Sequence, residues 1–224
     1  MKNRFFAVSI AVLFGVAVAG AGAADKEPPL FEEPFDGRLA DGWSWVREDP
    51  KTWRIDLGTL ILRTSTGSLW QKENDNHNLL LRTPPEANDG GLAVEVLVEN
   101  EPTNAFEHAG LLWYWDDDTY VMLNKEKVGG KQVVQLVSET DAKPKVGFAE
   151  KPYDGKTVWL RMEIAGGKAV GKFRATEKDD WQTLGQCDLP AKGDAKVGLI
   201  TGFAPKDADH ESRFSHFRIL KIAK

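Results

Sequence analysis

The chain has 224 residues, and its 29 basic and 34 acidic side chains give a formal net charge of −5 at pH 7. A net negative chain without a long basic run lacks the electrostatic footprint of nucleic-acid binding, so we exclude nucleic acid as a partner. Only one cysteine, Cys187, is present, so no internal disulfide can form. We predict that Cys187 is a buried, reduced residue of an ordinary hydrophobic core.

The N-terminal segment has the features of a secretory signal peptide. Lys2 and Arg4 precede the apolar run FFAVSIAVLFGVAVAG, and Ala21-Gly22-Ala23 forms an Ala-x-Ala cleavage pattern. A single membrane-anchoring helix is the alternative, but the run is barely long enough, because a span takes about 20 apolar residues. The predicted organisation is a signal peptide over 1–23, a linker over 24–29 and one domain over 30–224.

Cleavage near Ala23 would remove two basic residues and no acidic residue. The mature chain then has 29 − 2 = 27 bases against 34 acids, which gives a net charge of −7. We expect a secreted or periplasmic protein that has no stable membrane insertion once the signal peptide is removed.

The rest of the sequence predicts an all-β domain. In chain order, the strand candidates are TWRIDL, TLILRT, HNLLLRT, LAVEVLVE, HAGLLWYW, TYVMLNKE, KQVVQLVS, KTVWLRMEI, KAVGKFRA, KVGLITGF and RFSHFRILKI. Turn sequences such as DLGT, NDGG, VGGK and AGGK separate them. Leu92, Val94, Val96 and Val98 alternate with other residues, which is typical of a strand with one face in a core. Many short strands at this spacing indicate a β-sandwich or jelly roll.

The stretch AGLLWYWDDDTYVMLNKE (109–126) predicts a hairpin with an unusual number of aromatic residues. A four-residue loop over 116–119 would pair Trp115 with Tyr120 and would direct Leu112, Tyr114 and Leu123 towards the core. The opposite face would then carry Trp113, Trp115, Tyr120 and Asn124. Flat rings beside hydrogen-bonding groups suit a sugar, whose C–H face stacks while its hydroxyls need partners. The alternative is that longer loops cover this face and the rings are ordinary packing.

The order of several motifs resembles a known family. The motifs are DGWSWVREDPKTWRIDLGTLILRT, SLWQKENDNHNLLLR, EHAGLLWYWDDDTYVMLNKE, VWLRMEI, GQCDLPAKGDAKVGLITG and RFSHFRI. Together they resemble the concanavalin A-like domain at the C-terminus of β-xylosidases and a related family of stand-alone domains of unknown function. The resemblance implies a two-sheet jelly roll with one concave sheet and a link to carbohydrate, but no defined reaction. These domains often have an acidic residue where this chain has His216, which argues against a calcium site there.

Catalytic acids are not evident within one strand. Glu95 and Glu99 share a face, but four residues at about 3.3 Å each place them roughly 13 Å apart. Retaining glycosidases need carboxyl groups about 5 to 5.5 Å apart and inverting ones about 6.5 to 9.5 Å. We therefore interpret this pair as solvated positions of a half-exposed strand. Carboxylates from different strands could still meet, and Glu107, Glu126 and Glu163 are the candidates.

Metal and cofactor motifs are weak. The four histidines, 77, 108, 210 and 216, lack metal-ligand spacing, and no nucleotide-binding glycine motif is present, so we predict neither a metal nor a cofactor. Asp116–Asp118 could offer oxygens to Ca²⁺, although a solvated turn explains them better. The segment KENDNHN (72–78) could line a ligand site or hold a loop by local hydrogen bonds.

Two main hypotheses follow for function. The first is an exported, non-catalytic protein that binds a polysaccharide or oligosaccharide on an aromatic face. The second is a glycan-processing enzyme whose carboxylates come from different strands. A protein-binding domain with exposed aromatic residues is a third, less favoured reading. The candidate carbohydrate-binding residues are Trp70, Arg82, Glu107, Trp113, Trp115, Tyr120, Asn124, Trp159 and Arg161.

Overall fold

The computed structural model describes residues 28–86, 90–145, 149–207 and 209–222, which form two antiparallel sheets of eight strands each. Sheet A contains, in spatial order, β14 (Gln182–Asp188), β13 (Lys168–Arg174), β12 (Thr157–Ala165), β6 (Gly91–Glu99), β16 (Glu211–Ile222), β4 (Thr59–Arg63) and β3 (Trp53–Asp56), with β1 (Phe31–Glu33) beside β16. Sheet B contains β10 (Lys143–Pro144), β9 (Lys131–Thr140), β8 (Thr119–Val128), β7 (His108–Asp116), β15 (Lys196–Gly202), β5 (Leu79–Arg82) and β2 (Trp43–Val46), with β11 (Ala149–Pro152) beside β9.

The predicted fold class is confirmed, because the two sheets form a concanavalin A-like sandwich. The described residues contain no helix, and hence none long and apolar enough to cross a membrane. The predicted signal peptide (1–23) and the first part of the predicted linker lie outside the described residues.

Two hairpins of the fold follow directly from their glycine pairs. Gly129 and Gly130 join β8 to β9, and Gly166 and Gly167 join β12 to β13. All four have positive φ, between 55° and 81°. Two-residue hairpin loops of type I′ need positive φ at both central positions, which glycine adopts without steric cost. The sequences VGGK and AGGK therefore determine these turns locally.

The main core lies between the two sheets. Val94, Val96 and Val98 of β6 are fully buried in it, as the alternation in the sequence predicts. Their neighbours across β12, Val158, Leu160 and Met162, are also fully buried. Burial of one such side chain is worth about 1.5 to 3 kcal/mol, so these facing rows are a major part of what holds the sandwich together.

The β7–β8 hairpin has a different register from the predicted one. Tyr114 pairs with Tyr120, Trp113 pairs with Val121, and a bulge lies between Tyr114 and Asp116. The loop is therefore the two-residue Asp117-Asp118, not a four-residue loop. Because side chains alternate along a strand, a shift of one residue exchanges the faces. Trp113 and Val121 face the core, whereas Tyr114 and Tyr120 face outwards.

Side-chain hydrogen bonds of Asp117 explain this tight turn. Its carboxylate accepts two hydrogen bonds from the Arg47 guanidinium, at 2.6 and 2.9 Å, and one from the Tyr114 hydroxyl at 2.8 Å. A bidentate arginine–carboxylate pair is strong and geometrically specific. Arg47, which is 70 residues distant in sequence, therefore helps to hold Asp117 in the observed turn.

A second, smaller apolar cluster lies on the face of sheet B that points away from the core, which we call the outer face of sheet B. Its fully buried or nearly buried members are Leu69, Leu79, Leu81, Leu112, Tyr120, Met122, Val137 and Ile200. Trp70 packs against them from the segment between β4 and β5, residues 64–78. This segment covers part of the outer face and leaves the adjoining part to form the site described next.

Candidate functional site

A cavity of about 360 Å³ lies on the outer face of sheet B. Its floor comes from β7, β8, β9 and β15 through His108, Tyr120, Met122, Glu126, Val128, Gln135, Val137 and Ile200. Its walls come from the segment 64–78, the chain before β7, β11 and the chain after β15 through Ser68, Leu69, Trp70, Glu73, Phe106, Glu150 and Phe203. Most of this lining is apolar or aromatic, with a few polar groups, which is the usual character of a small-molecule site.

Glycines allow the strands beneath the cavity to pack closely. A Cβ on Gly202 would lie 2.6 and 2.7 Å from two atoms of the His108 ring, so a side chain there would displace the imidazole. A Cβ on Gly110 would lie 2.2 Å from the Leu123 carbonyl oxygen and 2.6 Å from Asn124 Cα. Both positions therefore require glycine because backbone or ring atoms occupy the space of a side chain.

Glu126 is the buried acid of the cavity. Its side chain is nearly buried, and Oε2 accepts hydrogen bonds from Asn124 Nδ2 at 2.8 Å and from Gln135 Nε2. Burial raises the pKa of Glu126 to about 7, although these two hydrogen bonds lower it, and the nearby Glu150 carboxylate raises it further. Near neutral pH, Glu126 is therefore poised between its neutral and its charged form.

His108 lies opposite Glu126 in the cross-strand register of β7 and β8. Its Nδ1 lies 2.8 Å from the Phe106 carbonyl oxygen and donates to it, which leaves Nε2 as an acceptor. Nε2 is buried and has no hydrogen-bond partner within the described part of the chain. Burial lowers the pKa of His108 to about 4, so the ring is neutral at physiological pH.

Tyr120 and Glu139 form a buried pair at one end of the cavity floor. The Tyr120 hydroxyl donates to Glu139 Oε2 at 3.0 Å, and burial raises the pKa of both groups. Tyr120 is only 2% exposed, so its ring face is not open to a ligand.

The segment 72–78 combines both roles considered for it. Asn76 Nδ2 donates to the Thr201 carbonyl at 2.7 Å, and the Ser68 amide donates to Asp75 Oδ1 at 2.9 Å. These hydrogen bonds fix the segment on the sheet. Glu73, between them, lines the cavity with Trp70.

Three of the predicted site residues meet at this cavity. Trp70 and Tyr120 line it, and Asn124 donates to Glu126 from the neighbouring position on the same face of β8. Of the acids considered for catalysis, only Glu126 lies here.

The structure contradicts the predicted orientation of Trp113 and Trp115. Trp113 is 7% exposed and belongs to the main core, while Trp115 lies at the bulge, packs against that core and donates Nε1 to the Gly193 carbonyl. The register shift is the physical reason. Leu112 and Tyr114, expected in the core, lie instead on the outer face of sheet B, whereas Leu123 is in the core as predicted.

Arg82 and Glu107 have other surroundings. The Arg82 guanidinium lies 3.1 Å from the centroid of the Phe31 ring and 5.3 Å from that of Trp43, so it stacks within the protein. Glu107 Oε2 accepts hydrogen bonds from the backbone amides of Thr103 and Asn104, and Oε1 lies 2.7 Å from His210 Nδ1. Glu107 therefore holds the chain that precedes β7.

Trp159 and Arg161 lie on the outer face of sheet A, away from the cavity. Arg161 and Arg218 both contact the Glu95 carboxylate, which is 2% exposed. Glu95 is thus a buried, doubly paired acid, and the interpretation that it is solvated is wrong. Trp159 is 5% exposed, and Glu163, another acid considered for catalysis, binds Arg161 in the same sheet.

The three turn aspartates each have a different partner. Lys192 Nζ lies 2.9 Å from Asp116, Arg47 binds Asp117, and Asn74 donates to Asp118 at 3.0 Å. Within the described ranges, no group of three or more His, Cys, Asp or Glu side chains could hold a metal ion.

Sequence reasoning missed His108, Gln135 and Glu150 as cavity residues. The strand patterns contain a usable signal, because His108, Gly110 and Leu112 alternate on one face of β7. That face could be assigned to the outer surface only with the correct hairpin register. The turn of this hairpin contains Asp117, which pairs with the distant Arg47.

Comparison with known proteins agrees with the two-sheet geometry. The model of the β-xylosidase C-terminal concanavalin A-like domain family matches residues 32–204. The chain belongs to this family. No curated protein matches the sequence.

Solved structures of GH43 proteins share the fold. BlXynB, a GH43 protein from Bacillus licheniformis, aligns with a TM-score of 0.75 at 19% identity over 85% of this chain and 39% of its own. A xylan β-1,4-xylosidase from Bacillus halodurans C-125 aligns with a TM-score of 0.69 at 20% identity, over 88% of this chain and 40% of its own. This family member thus spans about two fifths of these proteins.

A functionally unknown protein from Saccharomyces cerevisiae has nearly the same extent as the sandwich. It aligns with a TM-score of 0.65 at 16% identity, over 82% of this chain and 98% of its own. At these identities the structural likeness shows the fold alone.

Proposed function

We propose that this family member is an exported, non-catalytic carbohydrate-binding protein whose ligand site is the cavity on the outer face of sheet B. The observation that carries the proposal is the composition of the cavity. Trp70, Phe106 and Phe203 offer aromatic surface, while Glu126 and Gln135 offer hydrogen-bonding groups beside it. A volume of about 360 Å³ suits one or two sugar units, with C–H faces against the rings and hydroxyls on the polar groups.

Family membership supports a carbohydrate ligand, because the family is named for a domain of β-xylosidases. Export rests on the sequence of residues 1–23, in which two basic residues, an apolar run and an Ala-x-Ala pattern follow one another. Mass spectrometry of the exported protein is expected to show a new N-terminus near Ala24. An intact Met1 in that fraction would contradict export by cleavage.

The experiment that tests binding is a glycan array followed by calorimetry on Phe106→Ala. Phe106 lines the cavity yet is 52% exposed, so its removal should reduce affinity about ten-fold with little loss of stability. The matched control is Leu57→Ala, because Leu57 is 96% exposed and lies in the β3–β4 turn, outside the cavity lining. Equal glycan affinity in both variants would contradict the cavity as the site.

One observation favours a glycan-processing enzyme as the second candidate. Burial raises the pKa of Glu126 to about 7, as a general acid requires, and Glu73 and Glu150 line the same cavity. The test is the release of reducing ends from the glycans that bind. We expect none. A release that disappears in Glu126→Gln, while glycan binding persists, would overturn the non-catalytic assignment.

A further inference from the structure

The cavity has an unbalanced set of charges. Three carboxyl groups, those of Glu73, Glu126 and Glu150, line it. Among its described lining residues there is no lysine or arginine. Glu73 and Glu150 are exposed, whereas Glu126 is 5% exposed and is held by two side-chain amides instead of a cation. The cavity therefore offers negative charge that no lysine or arginine of its described lining offsets.

The hydrogen-bonding groups around the cavity are unbalanced in the same direction. The side-chain amides of Asn124 and Gln135 donate to Glu126, and His108 Nδ1 donates to a backbone carbonyl. His108 Nε2, in the cavity lining, is a buried acceptor that has no hydrogen-bond partner in the described structure. The cavity thus uses its side-chain donors within the wall and leaves this acceptor over, which an N–H or O–H donor of a ligand would complement.

The aromatic residues at the rim suit a cation as well as a sugar ring. The rings of Phe106 and Phe203 lie with centroids 6.0 Å apart, and the His108 ring lies 6.0 Å from that of Phe203. The electron-rich face of an aromatic ring attracts a cation, and the same face stacks against sugar C–H groups. Charge, hydrogen bonding and the aromatic rim therefore all favour one class of ligand.

We propose that the cavity selects a glycan that carries a free, protonated amino group, such as a glucosamine unit, over neutral and acidic glycans. The proposal rests on the function proposed above and names its substrate class. The ammonium group would lie against the carboxyl groups of Glu126 and Glu150, and a ring hydroxyl would donate to His108 Nε2. An N-acetylated unit lacks the charge, and a uronic acid would bring a like charge into the cavity.

The experiment is calorimetry on the purified protein with four probes of matched length. They are glucosamine oligosaccharides, N-acetylglucosamine oligosaccharides, xylose oligosaccharides and galacturonic acid oligosaccharides. A diamine without a sugar ring is the fifth probe. We expect the glucosamine oligosaccharide to bind at least about ten-fold more tightly than its N-acetylated form, as one charge-assisted hydrogen bond would produce.

Charge-neutral variants localise the effect. Glu126→Gln and Glu150→Gln should each reduce that preference, the ratio of the affinity for the amino form to the affinity for the N-acetylated form, by about ten-fold or more. Glu177→Gln is the matched control, because Glu177 is exposed and does not line the cavity, yet its replacement changes the net charge equally. Loss of the preference in this control would overturn the proposal, because a general charge effect would then explain it.

The outcomes separate the two proposals. If N-acetylated or xylose oligosaccharides bind as tightly as the amino form, the amino-glycan inference is wrong and the carbohydrate-binding function stands. If the diamine binds as tightly as the amino oligosaccharide, the sugar contributes nothing and both proposals fail. If no probe and no array glycan binds, the carbohydrate-binding function itself fails.

Discussion

Replacement of Glu126 by glutamine should change the pH dependence of stability in a defined direction. Glutamine keeps the shape of the side chain and an oxygen that can accept from Asn124 and Gln135, but it cannot ionise. Glu126 has a pKa of about 7 in the folded protein, against an ordinary value of 4.5. The folded state therefore binds the proton more tightly than the unfolded state, and stability falls as the pH rises from about 4.5 to about 7.

The magnitude follows from the two pKa values. One pKa unit corresponds to about 1.4 kcal/mol, so a rise from 4.5 to about 7 means that ionisation of Glu126 destabilises the protein by about 3 kcal/mol at pH 8. Glu126→Gln removes this effect. The variant should match the wild type near pH 4 and should exceed its free energy of unfolding by up to about 3 kcal/mol at pH 8.

The measured quantity must be the difference in free energy of unfolding between the variant and the wild type, because the titration of His108 has the opposite effect on stability. Its pKa is lowered from 6.5 to about 4, so the unfolded state binds the proton more tightly, and stability falls as the pH decreases from about 6.5 to about 4. Between about pH 4.5 and 6.5 the two contributions oppose each other in the wild type. The difference between the two stability curves reports Glu126 together with its coupling to His108, its cross-strand neighbour.

The assay is urea unfolding followed by tryptophan fluorescence at half-unit pH intervals from pH 4 to pH 8. Glu177→Gln removes one carboxyl group at an exposed position outside the cavity lining and is the control. A difference between Glu126→Gln and the wild type that does not change with pH would refute the reasoning, because it would mean that burial does not disfavour the Glu126 carboxylate.

Three further predictions concern packing. Trp113→Ala should lower the free energy of unfolding by about 3 to 5 kcal/mol in urea titrations, because Trp113 is a core residue. Leu112→Ala should lower it by a comparable amount, about 2 to 5 kcal/mol. A Trp113→Ala variant as stable as the wild type would restore the hypothesis that Trp113 lies on an exposed binding face. Gly110→Ala should abolish soluble expression, because its Cβ would meet Asn124 Cα at 2.6 Å; a folded circular dichroism spectrum would contradict this. Cys187 is free and 7% exposed, so a thiol reagent should label it rapidly only after denaturant is added.

Local sequence patterns predicted a turn or a buried strand face correctly where the residues that determine it lie within that element. The glycine pairs at 129–130 and 166–167 select their own hairpin turns, and the valines of β6 select their own buried face. The predicted burial of Cys187 is confirmed, because its side chain in β14 (Gln182–Asp188) is only 7% exposed. The family resemblance then indicated a two-sheet jelly roll. The strand spacing alone was compatible with either a sandwich or a jelly roll.

The predicted placement of the candidate site residues is wrong where it depends on contacts with residues distant in sequence. The face of Trp113 depends on a turn that Arg47 holds from 70 residues away, and no local pattern contains that contact. The pairing of β12 with β6 assigns Trp159 and Arg161 to sheet A, so these two residues cannot share a surface with Tyr120 of sheet B. Grouping aromatic residues by composition therefore combined residues of two different sheets and of the core.

The alternative that loops cover the aromatic face holds for part of sheet B, and this explains where a ligand can bind. Leu69 and Trp70 pack on the outer-face leucines, and Tyr120, now beneath that cover, is only 2% exposed. An apolar platform is thus closed by the chain itself, which stabilises the segment 64–78. The part of the outer face around Glu126 stays open, and Glu126 and Gln135 line the cavity there. Binding specificity should therefore depend on the polar residues at the end of this cover, and not on a row of exposed tryptophans.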